Sequence, residues 1–296
     1  MNSMTETLAH LSLGPGADPL DESRQTPRLY HYTSVGGLLG IIRSRVLWAT
    51  DISFLNDSEE FRHGIKIAAN LVAQRVKGAQ DNDRQLLEEL QKVLAKEHWF
   101  PAYVVSFTEH GDLLSQWRGY SPEGGASLGF TVEGLRRVEE LSKFRLSKCI
   151  YDDDRKHAIA NEFLDTLIEQ HRSSGSRDPR QVLFTAQGFI LRFYQMAACF
   201  KDSAFSEENE WRFVSPLTPL DNQSIRYRAT NRMIVPYYEL PLTEDGELEP
   251  SLRFDRIVLG PGSQLALMQN ALLRLCLTTG VAAKEVAKSK VPYRSL

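Results

Sequence analysis

The segment Ser206-Glu207-Glu208-Asn209-Glu210-Trp211-Arg212-Phe213-Val214 concentrates the side chains best suited to chemistry. Three carboxylates lead into a short apolar stretch that carries one arginine. In extended backbone, side chains alternate between faces, so Glu208, Glu210 and Arg212 share one face. Trp211 and Phe213 then point the other way, into a core. A carboxylate fixed on a strand beside a cation suits reactions in which positive charge develops on a sugar. The same pattern also describes a solvated edge strand with a cross-strand ion pair.

Three further segments hold candidate ligands. In Tyr30-His31-Tyr32-Thr33-Ser34, the His31 ring nitrogens and the Thr33 hydroxyl can bind sugar hydroxyls. A core strand whose His31 bonds a backbone carbonyl is the structural alternative. Asp57 and Glu60 have capping-box spacing, which leaves Asn56, just outside the helix, to face a ligand. Glu60 and His63 form an E-x-x-H pair, but a diiron bundle needs two such pairs, so no metal is assigned. Ser106-Phe107 precedes Leu114-Ser115-Gln116-Trp117-Arg118-Gly119-Tyr120, where Trp117, Arg118 and Tyr120 supply stacking and cationic surface. That set can hold a nicotinamide or adenine ring and a phosphate, or close the core beneath a long loop. Ser289 to Arg294 reads as a tail docked against the core.

The elements that position these residues follow from hydrophobic period. Residues 29–33 read as a strand with Leu29, His31 and Thr33 on one face and the tyrosines on the other. Ser34 then caps a helix whose face is Val35, Leu38, Leu39 and Ile42. Strands are expected at 46–50, 103–107, 127–132, 144–151, 211–214, 225–228, 233–239 and 256–259, with a last one near Val286. Helices are expected at 58–97 with a break at 77–83, at 155–200 with a break at 173–179, and at 264–277. This order of strands, helices, strands and helix reads as α+β. No G-x-G-x-x-G follows a strand, so a Rossmann nucleotide site has no support.

The chain has 296 residues, of which 42% are hydrophobic and 25% charged, the balance of a soluble globule. A net charge of −3 gives no broad electrostatic attraction to nucleic acid. Cys149, Cys199 and Cys276 are three and stand far apart, which argues against a disulfide framework or a zinc site and suits a reducing cytoplasm. No apolar run approaches membrane-spanning length, and no signal peptide opens the chain. Residues 1–27 read as a disordered leader, and 28–296 as a single domain.

Taken in order, the quoted motifs resemble a bacterial domain-of-unknown-function family, DUF2971. The matching segments are His31-Tyr32-Thr33-Ser34, Asn56 to Glu60, Ser115 with Trp117 and Tyr120, Glu208 to Arg212, and Pro292-Tyr293-Arg294. That family is similar, more distantly, to the ADP-ribosyltransferase fold. The resemblance implies a split β-sheet core with helical insertions and NAD as co-substrate. It implies Glu210 as the catalytic glutamate, on the ribose 2′-hydroxyl, with Glu208 as a second one. It implies His31, Tyr32 and Thr33 on a ribose and adenine, with Asn56 and Ser106 beside them. Trp117 or Tyr120 would stack on nicotinamide, and Arg118 or Arg212 would meet the pyrophosphate. The Ser-Thr-Ser strand of the arginine-modifying branch is missing. The implied function is ADP-ribosyl transfer to a macromolecular acceptor, protein or nucleic acid, as in a toxin, an effector or an anti-phage defence protein. NAD hydrolysis at the same site, or a non-catalytic nucleotide- or partner-binding module, is the alternative. A metal-dependent nuclease built on His31, Asp57, Glu60 and His63 comes last.

Overall fold

The computed structural model describes residues 28–55, 58–95, 101–230, 232–243 and 253–292. The leader at 1–27, Asn56, Asp57, Tyr293 and Arg294 lie outside the described residues. The strands are β1 (Arg28–Ser34), β2 (Val46–Asp51), β3 (Tyr103–Thr108), β4 (Gly125–Thr131), β5 (Arg145–Lys148), β6 (Glu210–Val214), β7 (Ile225–Ala229), β8 (Ile234–Pro241), β9 (Arg253–Phe254), β10 (Arg256–Leu259), β11 (Ala282–Ala283) and β12 (Val286–Lys288). The α-helices are α1 (Val35–Ser44), α2 (Ser58–Gly78), α3 (Asp81–Ala95), α4 (Leu114–Tyr120), α5 (Val132–Ser142), α6 (Asp153–Ser174), α7 (Pro179–Ala197) and α8 (Leu265–Thr279). The chain is α+β with a mostly antiparallel sheet; β10–β12 and β9–β11 are its parallel pairs among named strands.

The main sheet forks at β3. One edge of β3 pairs along its whole length with β6, which pairs in turn with β5. The opposite edge is shared: β2 pairs with it at Tyr103 and Val104, and β1 touches it at one position, Tyr30 opposite Thr108. From there β1 turns away to a seven-residue ladder with β4. The Ser106 carbonyl faces this gap, where no strand bonds it. The His31 ring takes it, with Nδ1 2.9 Å from the oxygen. A backbone acceptor inside a protein needs a partner, and here a side chain substitutes for a strand.

Alternation on these strands separates two packing layers. Leu29, Phe107, Leu128, Phe130, Trp211 and Phe213 face one way and pack with Leu38, Ile41 and Ile42 of α1, Leu135 and Val138 of α5, and Leu272 of α8. Val104 and Val214 face the other way, against Ala198 and Cys199 at the end of α7. Tyr30, Tyr32 and Val258 also form a buried cluster, with Trp117 of α4. A separate apolar core lies among α2, α3, α6 and α7.

The expected strands all form to within a few residues. So does the cap of α1, where Ser34 accepts from the Gly37 N–H at 3.1 Å. The break at 173–179 is a helix stop followed by a start: Gly175 is left-handed at φ 61°, and Asp178 caps α7 ahead of Pro179. Helix α5 was not expected. Thr131 caps it through the Gly134 N–H, and its buried face is little more than Leu135 and Val138, too short a period to stand out beside the preceding strand. Among the described residues no helix is long and apolar enough to cross a membrane.

Tyr30 fits only because two backbones lack a Cβ. A Cβ on Gly111 would lie 2.5 Å from its ring, and one on Gly129 2.7 Å. Gly129→Ala should therefore lower unfolding free energy by about 1–3 kcal/mol through overpacking. Gly188→Ala, in α7 with open space at the Cβ, should stabilise by about 1 kcal/mol. Urea melts of both variants test this, and a Gly129→Ala midpoint equal to wild type would contradict the packing around Tyr30.

Candidate active site

Strand β6 is buried at every position and lies between β3 and β5, so it is not a solvated edge. Its alternation is as expected from Glu210 onward: Trp211 and Phe213 enter the core, and Glu210 and Arg212 share the other face. Glu208 departs from that expectation. It ends a 3-10 helix, Ser203–Glu208, and Asn209 between the two glutamates is left-handed at φ 40°. Asparagine tolerates that conformation better than most residues. The Asn209 side-chain amide donates to His110 Nε2 at 3.0 Å, which holds the turn.

Both glutamates converge on a cation, Lys201, which sits just past α7 and is buried. Its ammonium donates to Glu208 Oε2 and to Glu210 Oε2. Arg212 donates to Glu210 from Nε at 2.8 Å and from Nη2 at 3.1 Å. Its Nη1 donates at 2.7 Å to the carbonyl of Ala198, the C-cap of α7, where cations are favoured. Burial pushes the Glu210 carboxyl up, but the charges and hydrogen bonds of Arg212 and Lys201 outweigh it and hold the pKa at about 2. Among the described residues the cluster holds two carboxylates and two cations. The Glu210 side chain is 4% exposed and that of Glu208 17%.

A small cavity of about 40 Å3 opens at the fork of the sheet. From β1 it receives Tyr30, His31 and Tyr32, from β3 Ser106 and Thr108, from α4 Gln116 and Tyr120, from the turn before β6 Glu208, and from the first position of β6 Glu210. Since a carbonyl can only accept, His31 Nδ1 carries the proton that bonds Ser106. Burial lowers the ring's pKa against that hydrogen bond, so the imidazole is neutral and Nε2 is an acceptor. Nε2 has no hydrogen-bond partner among the described residues. Gln116 is 6% exposed, and its carboxamide likewise has no partner among them. The Tyr32 hydroxyl is occupied, donating to the His110 carbonyl at 2.8 Å and accepting from the Leu113 N–H at 2.9 Å. Tyr120 is 49% exposed.

The fork thus gathers His31, Tyr32, Ser106, Tyr120, Glu208 and Glu210. Other candidate residues stand elsewhere. Trp117 is fully buried, edge-on to Tyr32 at 4.6 Å, with Nε1 donating to Asp112 at 2.8 Å, so neither ring face is open to a ligand. Arg212 is fully buried in its ion pair and cannot meet a pyrophosphate. Arg118 is exposed on α4 and does not line the cavity. Thr33 packs against the Gly37 backbone, away from the cavity. Asn56 lies outside the described residues.

Lys201 and Gln116 were not foreseen. Lys201 follows a long apolar helix at no recognisable spacing from the glutamates. Gln116 is an uncharged neighbour of a more conspicuous tryptophan. Asp112 was not foreseen either. It accepts from Trp117 Nε1, from Ser289 Oγ at 2.5 Å and from the Lys290 N–H at 2.7 Å, and so pins the C-terminal segment beside α4.

The family model described as a protein of unknown function, DUF2971, matches residues 116–213. Over that stretch the chain is similar to that family, which supports the resemblance of its motifs. The DUF2971 segment begins at Gln116 and ends on β6, so it contains Tyr120, Lys201, Glu208, Glu210 and Arg212 and leaves His31 and Ser106 outside. Comparison with curated proteins gave no match, and comparison with solved structures gave none.

The cluster has a measurable acid signature. Glu210 titrates in the folded state well below its ordinary value of 4.5. Its stabilising contribution, on the order of 3 kcal/mol, is therefore complete above about pH 4.5 and lost as pH falls toward 2. Lys201→Met leaves two carboxylates facing one arginine. It should cost about 3–5 kcal/mol at pH 7 and move the acid-unfolding midpoint upward. Urea melts at pH 7 and an acid titration followed by circular dichroism check both. An acid midpoint identical to wild type would separate Lys201 from Glu210.

Proposed function

We propose that this protein transfers ADP-ribose from NAD to a macromolecular acceptor, at the cavity in the fork of the sheet and in the cytoplasm. The observation that carries the reading is the meeting of His31, Tyr32, Ser106, Tyr120, Glu208 and Glu210, from four separated segments, around one cavity. Glu210 uses three of the roughly four acceptor sites of a carboxylate on Arg212 and Lys201. One site remains on Oε1 for a hydroxyl. A cavity of about 40 Å3 exceeds the roughly 10–15 Å3 that one water needs, so it admits a hydroxyl-sized group. In this reading that group is the ribose 2′-hydroxyl, held by Glu210, with the rest of the dinucleotide across the mouth. His31 Nε2 accepts from a second sugar hydroxyl, and Tyr120 stacks on nicotinamide. As the glycosidic C–N bond breaks, nicotinamide leaves with the electron pair. Glu208 and Glu210 stabilise the positive charge left on the ribose. The acceptor then bonds to the ribose carbon and gives up its proton to Glu208, the more exposed carboxylate.

One observation favours a second reading. The charge of Glu210 is already balanced by Lys201 and Arg212, as it is in a structural ion cluster. In that reading the cavity binds a nucleotide or a partner without chemistry. Water as acceptor gives a third outcome, NAD hydrolysis, from the same groups.

The test incubates wild type, Glu210→Gln, Glu208→Gln and Tyr120→Ala with adenylate-labelled NAD and cell lysate, following nicotinamide and labelled macromolecules together. Wild type should show both signals. Glu210→Gln should lower kcat about 10²-fold or more with little change in KM. Tyr120→Ala, exposed and outside the ion cluster, should chiefly raise KM. Nicotinamide without label would mean hydrolysis, and neither signal from wild type would reject both enzymatic readings.

A further inference from the structure

We propose that a second cavity, which shares Tyr30 with the first, is a diphosphate subsite. This rests on the transferase reading for its occupant, the diphosphate of the same dinucleotide. The cavity has a volume of about 270 Å3 and is lined by Arg256, Lys288 and Lys290, with Asp112 as the one carboxylate among its lining residues.

The carboxylate does not cancel the three cations as ligands for an anion. Three of the roughly four acceptor sites on its oxygens are taken by the Trp117 indole, the Ser289 hydroxyl and the Lys290 amide. Arg256 lies on the strand face of Val258, which packs with Tyr30 and Trp117. Its Nη2 reaches Glu285 at 3.3 Å, at the exposed rim. Its Nε is buried and has no hydrogen-bond partner among the described residues. A buried N–H left unpaired is costly, and a phosphate oxygen would satisfy it. Guanidinium geometry suits phosphate oxygens, and two lysines supply point charges beside it.

Position supports the assignment. Tyr30 lines both cavities, and Gly111 and Gly129 leave its ring room. A ligand with a sugar hydroxyl at Glu210 and a diphosphate a few bonds away would run over Tyr30 from one cavity into the other.

The probe is inorganic pyrophosphate, titrated calorimetrically into wild type, Arg256→Gln and Lys290→Ala, with adenosine as a phosphate-free control. Wild type should bind pyrophosphate, with affinity falling as salt rises. Arg256→Gln should weaken it roughly ten- to hundredfold, and Lys290→Ala should weaken it several-fold while keeping the wild-type melting temperature. Adenosine binding should be the same in all three. In the nicotinamide-release assay, pyrophosphate should compete with NAD, and Arg256→Gln should raise KM more than it lowers kcat. Pyrophosphate binding that depends on Arg256, in a protein that releases no nicotinamide, would support the subsite while rejecting the transferase reading. No binding of millimolar pyrophosphate by wild type, or equal affinity in Arg256→Gln and Lys290→Ala, would overturn the proposal.

Discussion

A buried carboxylate has to be neutralised, and much of this structure follows from how Glu210 meets that requirement. Removed from water, its carboxyl would take up a proton. It stays ionised because Arg212 projects from the same strand face and Lys201 arrives from the end of α7. Those two cations cannot be placed independently. Arg212 also takes the carbonyl of Ala198, the C-cap of α7, and the backbone of Lys201 donates to the Ile150 carbonyl. Neutralising one charge therefore fixes where the helical layer ends against β6. Such clusters are weak sources of net stability, since desolvation offsets much of their attraction. What they supply is register: a one-residue slip of β6 would carry Arg212 into the apolar layer.

The fork at β3 is the second organising feature. A continuous strand pair would leave no space between β1 and β3. Because contact is confined to Tyr30 and Thr108, the edge of β3 carries a carbonyl that only a side chain can reach. His31 fills that role, as the structural alternative from sequence has it: one ring nitrogen bonds a backbone carbonyl, and the residue also lines the cavity. Its tautomer is set by the sheet, and the chemistry available at Nε2 is a by-product of how the strands separate.

The sequence was legible where one period or one cap dominates. Trp211 and Phe213 alternate with Glu210 and Arg212, and the strand reads directly. Ser34, Gly175, Asp178 and Pro179 mark helix ends through local chemistry alone. The reading weakened where side-chain roles depend on tertiary neighbours. Trp117 and Arg212 have the composition of ligand-binding residues, yet a carboxylate five residues from the one and two residues from the other, Asp112 and Glu210, claims each of them first. Nothing local separates a tryptophan whose N–H is already bonded from one that awaits a ligand. Glu208 was placed on the right partner's side by the wrong backbone. Extended alternation and a left-handed Asn209 both bring it beside Glu210, and only three-dimensional placement tells them apart. Lys201 had no signal, because its meaning lies in residues that reach it from the following turn and strand.

Asp112 gives the chain a particular order of assembly. It lies just after β3, but two of its three donors, Ser289 and Lys290, are 177 and 178 residues further along. Closing so wide a loop is entropically unfavourable until intervening structure shortens it. On a ribosome, α4 would emerge long before the segment that anchors it, with the Asp112–Trp117 contact as its local restraint. The wall carrying Gln116 and Tyr120 is therefore completed only once that later segment has been made. A nascent chain holds its two glutamates and their cations well before it holds a finished cavity.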